Sequence, residues 1–89
     1  MTPPRRDKTT IIIDILGALI EKDLKPTHLL YKSNLSHIRL KFYLSELVKQ
    51  GLVEEIKTKD GGRCRITQAG VEAYNRYHKV RDFTHGFGV

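Results

Sequence analysis

A disulfide is the first thing this sequence cannot form. Cys64 is the only cysteine in 89 residues, and His28, His37, His78 and His85 show no Cys/His spacing of the kind that holds zinc. Long hydrophobic runs are missing as well. Apolar stretches such as Ile11 to Ile13 fall far short of the roughly 20 residues a membrane span requires, and the first residues lack the apolar core of a signal peptide. The expected setting is therefore reducing and cytoplasmic, with no membrane partner. No internal repeat or low-complexity tract interrupts the chain, and its length leaves room for one small domain with a modest core, excluding a second domain.

Cooperating catalytic groups are also scarce. Glu54 and Glu55 are adjacent in a segment of strand character, so they point to opposite faces. Asp60-Gly61-Gly62 is too short for a phosphate loop and opens no helix. Cys64 is expected to be buried and hence inert. No enzymatic activity, cofactor, metal or small-molecule ligand is expected.

What the chain does have is positive charge. Lys and Arg number 16 against 10 Asp and Glu, a formal net charge of +6, with a pI near 9.7. Such an imbalance favours polyanionic partners. The excess is localised: residues 31–50 hold Lys32, Arg39, Lys41 and Lys49 against Glu46 alone, whereas residues 11–30 hold two lysines against three carboxylates.

The periodicities predict a mainly helical fold with one β-hairpin. Residues 1–6, with Pro3, Pro4, Arg5 and Arg6, read as a flexible basic arm. Asp7 is placed to cap a first helix whose Ile12, Ile15, Leu16 and Leu19 recur at three and four, with Ile11, Ile13 and Ile20 widening the stripe and Asp14, Gly17, Ala18 and Glu21 facing outward. Glu21 to Lys25 reads as a polar connection. Pro26 and Thr27 start a short second helix that ends at Ser33 and Asn34. Leu35 then plugs a turn, Ser36 caps a third helix carrying Leu40, Tyr43, Leu44 and Leu47, and Gly51 stops it.

Steps of 100° around the third helix put Ile38, Phe42, Ser45 and Lys49 opposite its buried side, with His37 and Lys41 on one flank and Arg39 on the other. Two apolar residues thus point outward, either packing under a loop or the N-terminal arm, or reaching thymine methyl groups. Leu52 to Thr58 and Arg63 to Thr67 read as two strands around an Asp60-Gly61-Gly62 turn. Alternation groups Ile56, Cys64 and Ile66 on one face. Lys57, Arg63 and Arg65 fall on the other, joined by Lys59 near the tip, a basic wing that a phosphate partner would relieve of self-repulsion. Thr67 caps a last helix over residues 68–82, bearing Val71, Tyr74, Tyr77 or His78, and Val80 or Arg81, and residues 83–89 read as a flexible tail.

This order of parts, a three-helix core, a two-stranded wing and a C-terminal helix over residues 7–82, is that of a winged helix-turn-helix domain. The residues resemble the archaeal winged helix-turn-helix transcriptional regulator family, which includes small dimeric chromatin-like DNA-binding proteins. The likeness covers about Arg6 to Tyr77. It rests on the Ile-rich first helix from Arg6 to Leu16, the run Thr27 to Ser36, the pair Tyr43-Leu44, Gly51-Leu52 before the wing, and Ile66-Thr67-Gln68-Ala69-Gly70. The chain departs from the family at Cys64, where an aromatic residue is favoured, and in a shorter last helix.

The resemblance implies double-stranded DNA as partner, a nucleoid-associated location, and a homodimer through the C-terminal helix. On the reading of the residues, Tyr74, Tyr77 and Val80 are the candidate dimer contacts. His37, Ile38, Lys41 and Phe42 are the candidate readers of bases. Ser33, Ser36, Arg39, Ser45 and Lys49 are candidates for phosphate contact, and Lys57, Lys59, Arg63, Arg65, Arg5 and Arg6 for the flanking backbone or minor groove. Exposed Ile38 and Phe42 support an alternative, a protein-docking module of the same fold.

Overall fold

The computed structural model describes residues 7–59 and 61–86, the side chains of residues 80–86 excepted. Its elements follow in the order α1 (Lys8–Glu21), α2 (Pro26–Ser33), α3 (His37–Lys49), β1 (Val53–Thr58), β2 (Gly61–Ile66) and α4 (Gln68–Gly86).

α1 is the central rod of the core. Asp7 caps it, its carboxylate accepting the Thr10 N–H at 2.8 Å, a bond that holds the Asp7 carboxyl below its usual pKa. Ile11, Ile12, Ile13, Ile15, Leu16 and Leu19 are all buried, because α2, α4 and β2 each pack on this helix. Two expectations need correction. Ile20, in the last turn, is exposed, and Gly17 and Ala18 do not face outward. A Cβ at Gly17 would lie 3.1 Å from the Tyr74 ring, and Ala18 packs on the core, since α4 covers that side.

Leu29 fixes α2 to the core with no exposure. Asn34 closes α2 in the left-handed region at φ 53°, tolerated by a short polar side chain. Leu35 is buried as the plug of the turn. Ser36 then caps α3, its hydroxyl accepting the Arg39 N–H at 3.3 Å, while Leu40, Leu44 and Leu47 face inward. Gly51, at φ +75°, turns the chain into β1.

The hairpin is built differently from expectation. Thr58 pairs with Gly61, Ile56 with Arg63, Glu55 with Cys64 and Glu54 with Arg65, so both glycines belong to β2 and the connection is Lys59 and Asp60, the latter outside the described residues. Residues directly opposite in an antiparallel pair share a face, and moving the turn by one residue inverts one strand relative to the other. Ile56 therefore lies with Arg63 and Arg65, and Lys57 lies with Glu55 and Cys64, correcting both groupings read from the sequence. Thr58 supports the turn by donating its hydroxyl to the Gly61 carbonyl at 2.7 Å.

A one-residue third strand completes the sheet. Leu24, in the segment read only as a polar connection, is buried and pairs with Cys64: its N–H donates to the Cys64 carbonyl at 3.1 Å, and the Cys64 N–H donates to the Leu24 carbonyl at 2.7 Å. The thiol of Cys64 is consequently buried. Desolvation, with the nearby charge of Glu55, pushes its pKa up.

α4 begins at a knot of short contacts. The Thr67 hydroxyl donates to the Gly51 carbonyl at 2.6 Å and accepts the Gly70 N–H at 3.0 Å, while the Thr67 N–H donates to the Leu52 carbonyl at 3.0 Å. Gly70 is required by space, since a Cβ there would stand 2.1 Å from the Leu52 carbonyl oxygen and 2.6 Å from Ile66. From this start α4 runs to Gly86. Phe83 to Gly86 is helical where a tail is expected after Asp82, and no glycine or proline intervenes between Gly70 and Gly86 to stop it.

Two outcomes follow from this packing. Gly70→Ala should lower the stability to urea by about 1 to 3 kcal/mol or more, as overpacking against backbone does, whereas Gly62→Ala, whose Cβ would meet nothing nearer than 3.9 Å, should leave the midpoint within about 0.5 kcal/mol of wild type. Cys64 should react with iodoacetamide at pH 8 at least about tenfold more slowly in the native protein than in urea, and equal rates would show that the thiol is open.

Candidate nucleic-acid interface

The outer side of α3 stands clear of the core along its whole length. Ser36 and Leu35 set the direction of its first turn, and Leu40, Leu44 and Leu47 bind its inner side, which leaves the other side to solvent. Ile38 is 81% exposed and Phe42 58% exposed, so neither packs under a loop. His37, Arg39, Lys41, Ser45 and Lys49 are exposed beside them. His37, Ile38, Lys41, Phe42, Ser45 and Lys49 line one shallow surface depression, together with Glu46. Phe42 is steadied by an edge-to-face contact with Tyr43, ring centres 5.4 Å apart.

The wing extends this surface with fewer charges than the sequence suggests. Lys57 lies on the hairpin face that carries Glu55, and Glu55 borders a cleft of about 310 Å³ between α2, α3 and β1, walled by Leu30, Leu40, Leu44, His37 and Lys41. Lys57 therefore shares the side of the wing turned to α3. Lys59 is exposed at the tip. Among the described residues, no carboxylate pairs with Lys41, Lys49, Lys57 or Lys59.

Arg65 is placed otherwise. Its Nη2 lies 2.9 Å from Asp23 Oδ2, its Nε–H donates to the same oxygen at 3.0 Å, and its Nη1 is 4.0 Å from Glu54. The Asp23 hydrogen bond, and then its charge, push the Arg65 pKa up further. Arg63, half-buried, lies opposite Ile56 on that same face.

Ser33 does not belong to the surface. It is 1% exposed, and its hydroxyl donates to the Leu29 carbonyl at 2.7 Å, satisfying within the helix the polar group that burial would otherwise penalise. This corrects its place among candidate phosphate contacts. Ser36 is exposed, although its hydroxyl already serves as the α3 cap. Tyr74 and Tyr77 are half-buried against the core of their own chain, Tyr74 stacking on His78 with ring centres 5.3 Å apart. Arg5 and Arg6 lie outside the described residues, as does the side chain of Val80.

Sequence reasoning missed two features of this region. Asp23, the partner of Arg65, carries no local signal, because the pairing depends on strand register. Tyr31, 82% exposed on α2, is a large aromatic left in solvent four residues after Thr27, which lines the cleft. Its position was legible from helical spacing. Among the described residues, no three His, Cys, Asp or Glu side chains converge to hold a metal, and no helix is long and apolar enough to cross a membrane.

Known proteins share this arrangement. Sso10a-2, a DNA-binding protein from Sulfolobus solfataricus, superposes with a TM-score of 0.83 at 22% identity, over 92% of this chain and 85% of that one. The transcriptional regulator BldR from the same organism gives 0.78 at 17% identity, over 86% of this chain and 58% of that one. The oxidised form of MarR from E. coli gives 0.74 at 22% identity, over 82% and 54% respectively. The chain thus spans little more than half the length of the latter two, and at such identities the likeness is one of fold. No curated protein matches in sequence. A family model described as winged helix-turn-helix matches residues 5–85, and on that match, which the helices and wing described above fill element by element, the chain belongs to the winged helix-turn-helix family.

Proposed function

We propose that this protein binds double-stranded DNA as a transcriptional regulator, with α3 in the major groove and the wing on the flanking backbone. The observation that carries this reading is the exposed face of α3, cationic through Lys41 and Lys49, set beside Lys57 and Lys59 of the wing, which pair with no carboxylate among the described residues. The names of Sso10a-2 as a DNA-binding protein and BldR as a transcriptional regulator support it.

The major groove is wide enough for a helix and presents a distinct set of donors, acceptors and methyl groups for each base pair. The N-terminal half of such a helix comes nearest the bases, and base contacts fall there to His37, Ile38, Lys41 and Phe42. An exposed isoleucine and phenylalanine there suit thymine methyls. Ser36, Arg39, Ser45 and Lys49 flank them and suit phosphate oxygens, which fix position without conveying sequence. Lys57, Lys59 and Arg63 follow the backbone beyond the groove, and Arg5 and Arg6 stay in the reading on charge alone. Arg65 leaves it, being held by Asp23.

The homodimer through α4 is part of this reading. It is supported by the length of α4, 19 residues, which extends the helix by a full turn beyond what the sequence suggests. Light scattering at high micromolar concentration should give twice the chain mass, and the mass of one chain would remove the dimer.

With about five phosphates neutralised by Arg39, Lys49, Lys57, Lys59 and Arg63, the logarithm of the binding constant should fall against that of salt with a slope of about −4.5. A flat salt dependence would rule the interface out. Lys41→Ala should relax preference at one base step by about 1 to 3 kcal/mol, while Lys59→Ala should weaken all sequences alike. The docking alternative, which the exposure of Ile38 and Phe42 favours, expects no electrophoretic shift with random duplex at low salt.

A further inference from the structure

Three charged side chains from three different segments stand in a row across the sheet. Leu24 pairs with Cys64 and Cys64 with Glu55, so the residues one step away, Asp23, Arg65 and Glu54, face each other on the side opposite the buried Cys64. Their order is negative, positive, negative. Arg65 meets Asp23 through two nitrogens at 2.9 and 3.0 Å and approaches Glu54 at 4.0 Å. The row as a whole carries one net negative charge.

We propose that Asp23 is a positioning residue for the wing: by holding Arg65 it clamps the hairpin to the connection between α1 and α2 and withholds that cation from DNA. The inference rests on the DNA-binding reading only for its second half. If Arg65 instead turned to a phosphate, it would leave Asp23 and Glu54 uncompensated next to a polyanion, and the like charges would repel. With Arg65 in place, the hairpin is two-sided. The row fronts solvent as a strip in which Arg65 is already compensated, and Lys57 on the other face is a cation turned toward α3.

The backbone supplies a reporter independent of DNA. The Cys64 N–H donates to Leu24 at 2.7 Å and the Leu24 N–H to Cys64 at 3.1 Å, directly beside the clamp. Lysine is the informative substitution at Arg65, since it keeps the charge but loses the planar fork that spans two partners.

The test combines amide hydrogen exchange by NMR on the free full-length protein with the salt dependence of binding to a random duplex. Asp23→Asn, Arg65→Gln and Arg65→Lys should each speed exchange at Leu24 and Cys64 by about threefold, on the scale of a half-exposed ion pair, with α1 amides unmoved. Asp23→Asn should also steepen the salt slope by about one, because the released Arg65 gains a phosphate. Arg65→Gln should leave the slope unchanged.

The proposal is overturned if the two amides do not respond to any of the three substitutions, or if Arg65→Gln flattens the slope by about one while Asp23→Asn leaves it alone, since Arg65 would then be a phosphate contact already. Absence of duplex binding by the wild type would end the DNA reading, and the amide exchange would still decide the clamp.

Discussion

The contact of Thr67 and Gly70 with Gly51 and Leu52 is the constraint on which the rest of the molecule depends. The end of α3, both feet of the hairpin and the start of α4 meet there within one turn of chain, through hydrogen bonds of 2.6 to 3.0 Å. Leu52 also donates its N–H to the Leu47 carbonyl at 2.9 Å, closing the last turn of α3. A hydroxyl at one position and the lack of a side chain at another thus determine how the wing leaves the third helix. The run Ile66-Thr67-Gln68-Ala69-Gly70 is therefore architectural: it aims the charges and contributes none of its own.

Electrostatics then sorts the surface that this joint presents. Lysines that pair with no carboxylate among the described residues sit on α3 and on the near side and tip of the hairpin, whereas on the far side Arg65 is compensated by Asp23 and Glu54. Net charge alone, +6 over the chain, would not distinguish these sides. The distinction arises because cross-strand neighbours share a face, so one residue of register decides which cations are compensated. Glu55, on the near side, borders the cleft with His37 and Lys41, and with Glu46 in the α3 depression it sets carboxylates among the cations of this surface.

Much of the fold was legible in the sequence because its signals are local. Asp7, Ser36 and Thr67 cap helices through their own side chains, Gly51 stops one by its positive φ, and leucines at three and four mark buried sides, so helix positions and the outer side of α3 followed directly. What was not legible depends on distant partners. The pairing of Leu24 with Cys64 spans the two helices between them, the face of Lys57 depends on where the turn centres, and Asp23 meets Arg65 only once both are in place. Ser33 misleads for a related reason: a serine at a helix end looks exposed, and only the packing of α2 buries it against the Leu29 carbonyl. The close of α4 is hard to place from sequence because a weakly patterned helix has no marker before Gly86.

One further consequence concerns the rim of the sheet. β2 is bridged by Leu24 at Cys64 on one side and paired with β1 along its length on the other, so β1 presents its whole outer row of backbone donors and acceptors, along Glu54, Glu55, Lys57 and the neighbouring Lys59. Two adjacent carboxylates followed by two lysines on such a margin discourage a second copy from adding its own strand there. Strand addition, which once begun has no natural end, is thereby disfavoured at this rim.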